Sequence, residues 1–152
     1  MSAASRPGAR NPGRTARLCR PEPKLFNVDM SNSPFTNPNP DDKVLSNALC
    51  YARRDKYPVS LGHLLVVPYR EFANYFDATP DEKAAPWALV DEAKRHLDDR
   101  YRPDGDNIGI NAGEAAGQTV APMHIHVIPR YRNDVPDPRG GVRGVISKKQ
   151  KY

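Results

Sequence analysis

Only two cysteines, Cys19 and Cys50, stand in 152 residues. So few exclude a disulfide framework, and Cys50, in a stretch that reads as a strand, fits a small buried hydrophobe better than a reactive thiol. No apolar run is long enough to span a bilayer, so the cytosol is the default compartment. Acidic residues are missing from the start of the chain until Glu22. Before it come Arg6, Arg10, Arg14, Arg17 and Arg20 among Gly, Pro, Ser and Ala. This stretch has no apolar h-region, which excludes a secretory signal. It is also too poor in hydrophobes to offset its own ordering entropy. Residues 1–30 are therefore expected to be a disordered basic tail, or a stretch preceding a true start at Met30. The tail could touch nucleic acid or a membrane. Its five arginines match the formal net charge of +5, so that charge does not describe a DNA-binding core.

The remainder, residues 31–152, has the length of one domain. Mean hydropathy is low, at −0.73, mainly because of the tail. Ser31 to Lys43 is rich in Asn, Pro and Asp and reads as an extended entry. Val44 to Arg53 and His63 to Pro68 read as two strands joined by a turn over 55–62. Thr79-Pro80-Asp81-Glu82 predicts a helix start, with Thr79 as N-cap, Pro80 at the first helical position and Glu82 closing a capping box. Ala85, Leu89, Ala93 and Leu97 then recur every four residues, a stripe on a helix ending near Tyr101. Pro86 is expected to kink or delay that helix. Trp87 is expected to pack in the core or an interface. His96, Glu92, Asp98 and Asp99 look like a solvated helical face. Asn107 to Asn111 and Met123 to Pro129 are two further strands. The class is α+β: an antiparallel sheet with one long helix.

The most informative stretch runs from Gly117 to Arg130. His124 and His126 alternate with Ile125, Val127 and Ile128, a period of two that indicates a strand. Residues at i and i+2 on a strand share a face, so the two imidazoles project side by side. Gly117-Gln118-Thr119 supplies a turn, an amide and a hydroxyl just upstream. Paired imidazoles beside such donors suit an anionic group such as phosphate. Spacing alone leaves two other readings open: an exposed polar face, and a metal-ligand pair of the His-x-His kind.

Pro122-Met123-His124-Ile125-His126-Val127-Ile128 resembles the signature of the histidine triad (HIT) family, His-φ-His-φ-His-φ-φ with φ apolar. Pro122 stands in place of the first His. Two other blocks carry the resemblance: Asp55 to Pro68, with Asp55 eight residues before His63 of the Gly62-His63 pair that opens a strand, and Gly109-Ile110-Asn111-Ala112-Gly113 leading to Gly117. It covers the chain from about Pro34 onward and implies a HIT-like sheet of about five strands, one long helix and a short N-terminal helical or loop segment. It also implies a nucleotide as substrate and a homodimer. His124 matches the nucleophile that forms a nucleotidyl-histidine intermediate. His126 matches a group that hydrogen-bonds phosphate oxygens. Gln118 and Thr119 match positions that contact the phosphates, Asp55 one that accepts from ribose hydroxyls, and Asn111 a phosphate-site amide. His63 either belongs to the site or is a structural residue opening its strand. The tautomer of the nucleophile is fixed in the family by a backbone carbonyl, which Pro122 retains.

Some family members hold a structural zinc through Cys-x-x-Cys, a His after the second block and the first triad His. Ser33-Pro34-Phe35-Thr36, Glu71 and Pro122 stand at those places, so neither metal nor other cofactor is expected. The resemblance then implies a hydrolase of dinucleoside polyphosphates or nucleoside phosphoramidates, with a rate reduced by loss of the first His. The alternatives are a catalytically weakened nucleotide binder and a nucleotidyltransferase. A third, distinct reading is nucleic-acid binding through the Arg-rich tail. Arg139 and Arg143, around Gly140-Gly141, either grip a distal phosphate or belong to an exposed basic loop. Lys148 to Lys151 is expected to be solvated.

Overall fold

The computed structural model describes Ser33, Phe35 and residues 38–151. The expected basic tail, Cys19 and the Pro34 and Thr36 positions lie outside the described residues. A 3-10 turn, Pro40–Asp42, precedes the first strand, its start capped by the Asn39 side chain accepting from the Asp41 amide. Five strands follow, β1 (Lys43–Ser46), β2 (Cys50–Arg54), β3 (Leu64–Pro68), β4 (Gly105–Gly109) and β5 (Ile125–Arg130), with one helix, α1 (Pro80–Tyr101), between β3 and β4. The strands form one antiparallel sheet in the order β1-β2-β3-β5-β4.

The stretch from Val44 to Arg53, expected as one strand, is a hairpin of two. Its turn lacks the Gly or Pro that usually marks one. Asn47 makes the bend instead: its side-chain oxygen accepts from the amides of Leu49 and Cys50, both at 3.0 Å. Its side-chain nitrogen donates to the Ala85 carbonyl of α1 at 2.9 Å, which ties the hairpin to the helix.

The helix start is as expected, with the reciprocal Thr79–Glu82 capping box and Pro80 in the first turn. Pro86 does not break the helix, which runs 22 residues. A proline forfeits one hydrogen bond, and here its ring is fully buried, which offsets that loss. Leu89, Val90, Ala93 and Leu97 pack on one face of the sheet against Ala52, Val66, Ile125 and Val127. Cys50 joins this core, fully buried, its thiol pushed up to about 11 by burial. Trp87 does not join it: the ring is 41% exposed, because the stripe of buried positions leaves residue 87 on the outer side of α1.

Alternation sends a second set of residues to the opposite face, where Phe35, Tyr51, Leu65 and Val67 form a smaller cluster. The register aligns Lys43, Arg53, Leu65, His126 and Gly109 across all five strands. This row is the floor of the site described below. The turn between β2 and β3 is pinned at Gly62, whose φ of +87° suits glycine. A Cβ there would meet Leu97 and Tyr101 side chains at 3.0 Å, so the turn lies directly on α1 and delivers His63 to the sheet.

Candidate functional site

His124 precedes β5 by one residue and His126 lies within it. Their rings are 4.9 Å apart in an edge-on arrangement. His124 Nδ1 lies 2.9 Å from the Pro122 carbonyl oxygen. A carbonyl only accepts, so Nδ1 carries the proton and Nε2 keeps its lone pair. The Pro122 carbonyl thus fixes the tautomer. Ala121–Pro122 is a cis peptide bond, and the Phe35 ring packs on His124 at 5.2 Å.

His126 is linked to His63, with His63 Nε2 and His126 Nδ1 at 3.1 Å. On the other side of the His63 ring, Nδ1 has two neighbours: the Val59 amide, a donor, at 3.3 Å, and Asp55 Oδ2, an acceptor, at 3.2 Å. One nitrogen cannot serve both. When the Val59 amide donates to Nδ1, His63 donates to His126, and His126 Nε2 carries the proton outward. When Nδ1 donates to Asp55, the order reverses. Burial holds both rings below the usual histidine range. For His126 the neighbouring His124 and His63 add to burial and the value falls to about 4. For His63 burial outweighs the opposing effect of Asp55. His126 is therefore neutral at physiological pH, with a single proton to donate.

A cleft of about 430 Å³ brings together Asp55, Asn111, Gln118, Thr119, His124 and His126, a volume suited to a small ligand. His63 is the one predicted residue outside it, and reaches the cleft through His126. Thr119 is exposed at the rim, whereas Gln118 is only 3% exposed. The Gln118 amide is engaged at both ends: its oxygen accepts from the Gly113 amide at 2.8 Å, and its nitrogen donates to the Ala73 carbonyl at 2.7 Å. With its own main-chain bond to Gly113, it closes the loop over 113–118. Asp55 accepts from the Tyr57 amide at 3.0 Å as well as facing His63.

The same cleft is lined by Phe35, Arg53, Tyr57 and Leu65, which sequence reasoning did not select. Arg53 was accessible to it, since it lies two residues before Asp55 on the same strand face. Arg53 pairs with Asp42 at 2.9 Å and lies over the Phe35 ring.

A structural zinc at the family's place has little to bind. The Ser33 hydroxyl donates to the Ala121 carbonyl at 2.9 Å, Pro122 offers no side-chain ligand atom, and Glu71 alone contributes a carboxylate. A different trio, Asp55, His63 and His126, has ligand atoms within 4.8 Å of one another and could accept a divalent cation only by giving up the hydrogen bonds just described.

Residues 36–133 match the family described as HIT domain. An "AP-4-A phosphorylase" of Mycobacterium tuberculosis is 40% identical over 92 residues, covering 60% of this chain and 47% of that protein. A "Bis(5'-nucleosyl)-tetraphosphatase [asymmetrical]" of Schizosaccharomyces pombe is 36% identical over 77 residues, covering 51% and 42%. Among solved structures, a hypothetical histidine triad nucleotide-binding protein of Sulfolobus tokodaii aligns with a TM-score of 0.58 and 38% identity, over 63% of this chain and 64% of that one. The chain spans about half the length, or less, of these two curated relatives.

Proposed function

The chain belongs to the HIT domain family, and from that membership we propose that it is a nucleotide-conjugate hydrolase acting through a nucleotidyl-histidine intermediate on His124. The observation that carries this reading is the hydrogen bond from His124 Nδ1 to the Pro122 carbonyl, which leaves a lone pair on Nε2 beside His126 and Thr119. In the proposed reaction Nε2 attacks the α-phosphorus. A nitrogen–phosphorus bond forms and the bond to the leaving group breaks, its electron pair departing with that group. Water then attacks the same phosphorus, the nitrogen–phosphorus bond breaks, and a nucleoside monophosphate is released. In the state where the Val59 amide donates to His63, neutral His126 donates to a phosphate oxygen and Asp55 is free to accept from the ribose hydroxyls, while Thr119 and Asn111 hold the remaining oxygens. Gln118 supports the site by holding the phosphate loop rather than by touching phosphate. The weakened-binder alternative rests on the missing first His, and the Pro122 carbonyl at His124 weighs against it.

A transfer variant has a specific observation in its favour. The relative from Mycobacterium tuberculosis is named a phosphorylase, which would place inorganic phosphate where water attacks. The homodimer and the cytosolic setting belong to the same proposal. The outer edge of β4 has no ladder partner among the described residues, and no described helix is long and apolar enough to cross a membrane.

The test is nucleotide release from diadenosine tetraphosphate and from an adenosine phosphoramidate, with and without inorganic phosphate, for the intact chain and His124→Ala. AMP that disappears in the variant supports hydrolysis. ADP formed only with phosphate moves the reading to transfer. No product from either substrate refutes both.

A further inference from the structure

Beyond the last strand the chain turns back over the sheet. Gly140 and Gly141 start a run of 3-10 turns, Gly141–Lys149, interrupted at Ile146. The segment is tightly closed: a Cβ on Gly140 would lie 2.0 Å from the Gln150 carbonyl oxygen. Its arginines do not form a phosphate grip. Arg139 pairs with Asp137 at 2.8 Å, and Arg143 donates to the carbonyls of Lys149 and Gln150. Val142 and Val145 line a second cleft of about 370 Å³, together with Val59, Ile108 and Ile128.

This cleft and the catalytic one share Asp55, Asn111 and His126, but His124 lines only the catalytic one. The register explains the adjacency. Ile128, paired with Asn107, lies two residues along β5 from His126, so on the face they share the apolar floor begins at the next side chain after the phosphate-facing imidazole. A phosphorus held between His124 and His126 therefore lies in the nucleoside cleft, where His126 and Asn111 border the apolar one. No Lys or Arg lines this second cleft, and its one ionisable acid is Asp55. Past the imidazoles and the amides of Asn107 and Asn111 it offers an anionic extension no cationic side chain, and it offers an apolar group a surface to cover. Val142 and Val145 are 59% and 78% exposed and Val59 is 74% exposed, so an apolar occupant would take from water surface that is now open to it.

We propose that this cleft is a leaving-group subsite, taking an apolar aromatic or aliphatic group joined to the α-phosphate of the nucleotide. The proposal rests on the hydrolase reading for the position of the phosphate. It deepens that reading by favouring conjugates with neutral apolar leaving groups over those continuing as polyphosphate.

The test uses three adenosine 5′-phosphoramidates, with ammonia, benzylamine or glycine as the amine. Binding is measured by calorimetry on the full-length His124→Ala chain, so that it does not require turnover, and AMP release is measured on the intact chain. The benzyl conjugate is expected to bind about tenfold or more tighter than the unsubstituted amide, the scale on which apolar pockets discriminate. The glycine conjugate is expected to bind more weakly than either. In Val145→Asp and Val142→Asp, two substitutions at exposed positions, the ratio of benzyl to unsubstituted affinity should fall toward one. A ratio near one in the starting chain, or one unmoved by both substitutions, overturns the subsite. AMP release with a ratio near one leaves the hydrolase reading standing and removes the subsite. Absent AMP release with the ratio intact does the reverse. No binding of any conjugate overturns both.

Discussion

Gln118→Ala distinguishes a residue that touches substrate from one that holds the loop beneath it. In the folded protein the Gln118 side chain bonds two backbone groups, the Gly113 amide and the Ala73 carbonyl, and is only 3% exposed. A net contribution of about 1 kcal/mol per bond gives about 2 kcal/mol, and the two backbone groups left short of partners raise this to about 2–3 kcal/mol. With a urea m-value of about 1.5 kcal/mol/M, the unfolding midpoint should fall by about 1–2 M. Gln118→Glu should be worse, since it turns an acceptor toward the Ala73 carbonyl. Thr119→Ala, exposed next door, should move stability by no more than about 0.5 kcal/mol and show its effect in AMP release. Urea unfolding followed by circular dichroism, beside the nucleotide-release assay, reads both quantities. A Gln118→Ala chain with an unchanged midpoint and lost activity would refute the loop-holding role and return Gln118 to direct phosphate contact.

Two further expectations follow from the same site. His63 and His126 are both held below the ordinary histidine range, His126 at about 4, so the unfolded chain binds their protons more readily. Stability should therefore fall as pH drops from the unfolded value of about 6.5 to near 4, then level off for these groups. In His126→Gln the urea midpoint should vary less with pH over that window, and an equally steep loss would contradict the assignment. Asp55→Ala should raise KM for a ribonucleotide conjugate about tenfold or more, the scale of a hydrogen bond to a charged group, while leaving KM for the 2′,3′-dideoxy conjugate nearly unchanged. Equal losses on both substrates would place Asp55 in support of His63 rather than at the ribose.

Local signals in the chain foretold what local physics determines. Thr79, Pro80 and Glu82 mark the helix start because a cap needs only neighbours in sequence, and all three do so in the structure. His124 and His126 share a face because strand geometry alone requires it. The hairpin at Asn47 escaped notice because a side-chain-made turn leaves no Gly or Pro behind it, although an Asn before an apolar run was the available hint. Gln118 could not be assigned to loop closure from sequence, since its partner Ala73 lies 45 positions away. In the C-terminal segment the sequence left a phosphate grip and an exposed basic loop open, and Arg139 and Arg143 are exposed. Its arginines dominate the composition, yet they turn to Asp137 and to backbone carbonyls, and the less conspicuous valines face the cleft. Six of the seven residues selected for the site do line one cleft, because each sits at a strand end or loop that the sheet gathers to one side.

The strand order has a consequence for how the protein comes into being. β5 is the last strand synthesised, yet it lies inside the sheet, between β3 and β4. Until it arrives β4 has no neighbour to pair with, while β1, β2 and β3 can form a meander from consecutive strands alone. The segment that carries both imidazoles is thus the one that completes the sheet. A chain paused before that insertion has an unpaired strand edge and no chemistry, and the slow, long-range closure that completes the architecture also completes the site. For this molecule, becoming folded and becoming competent are the same late event.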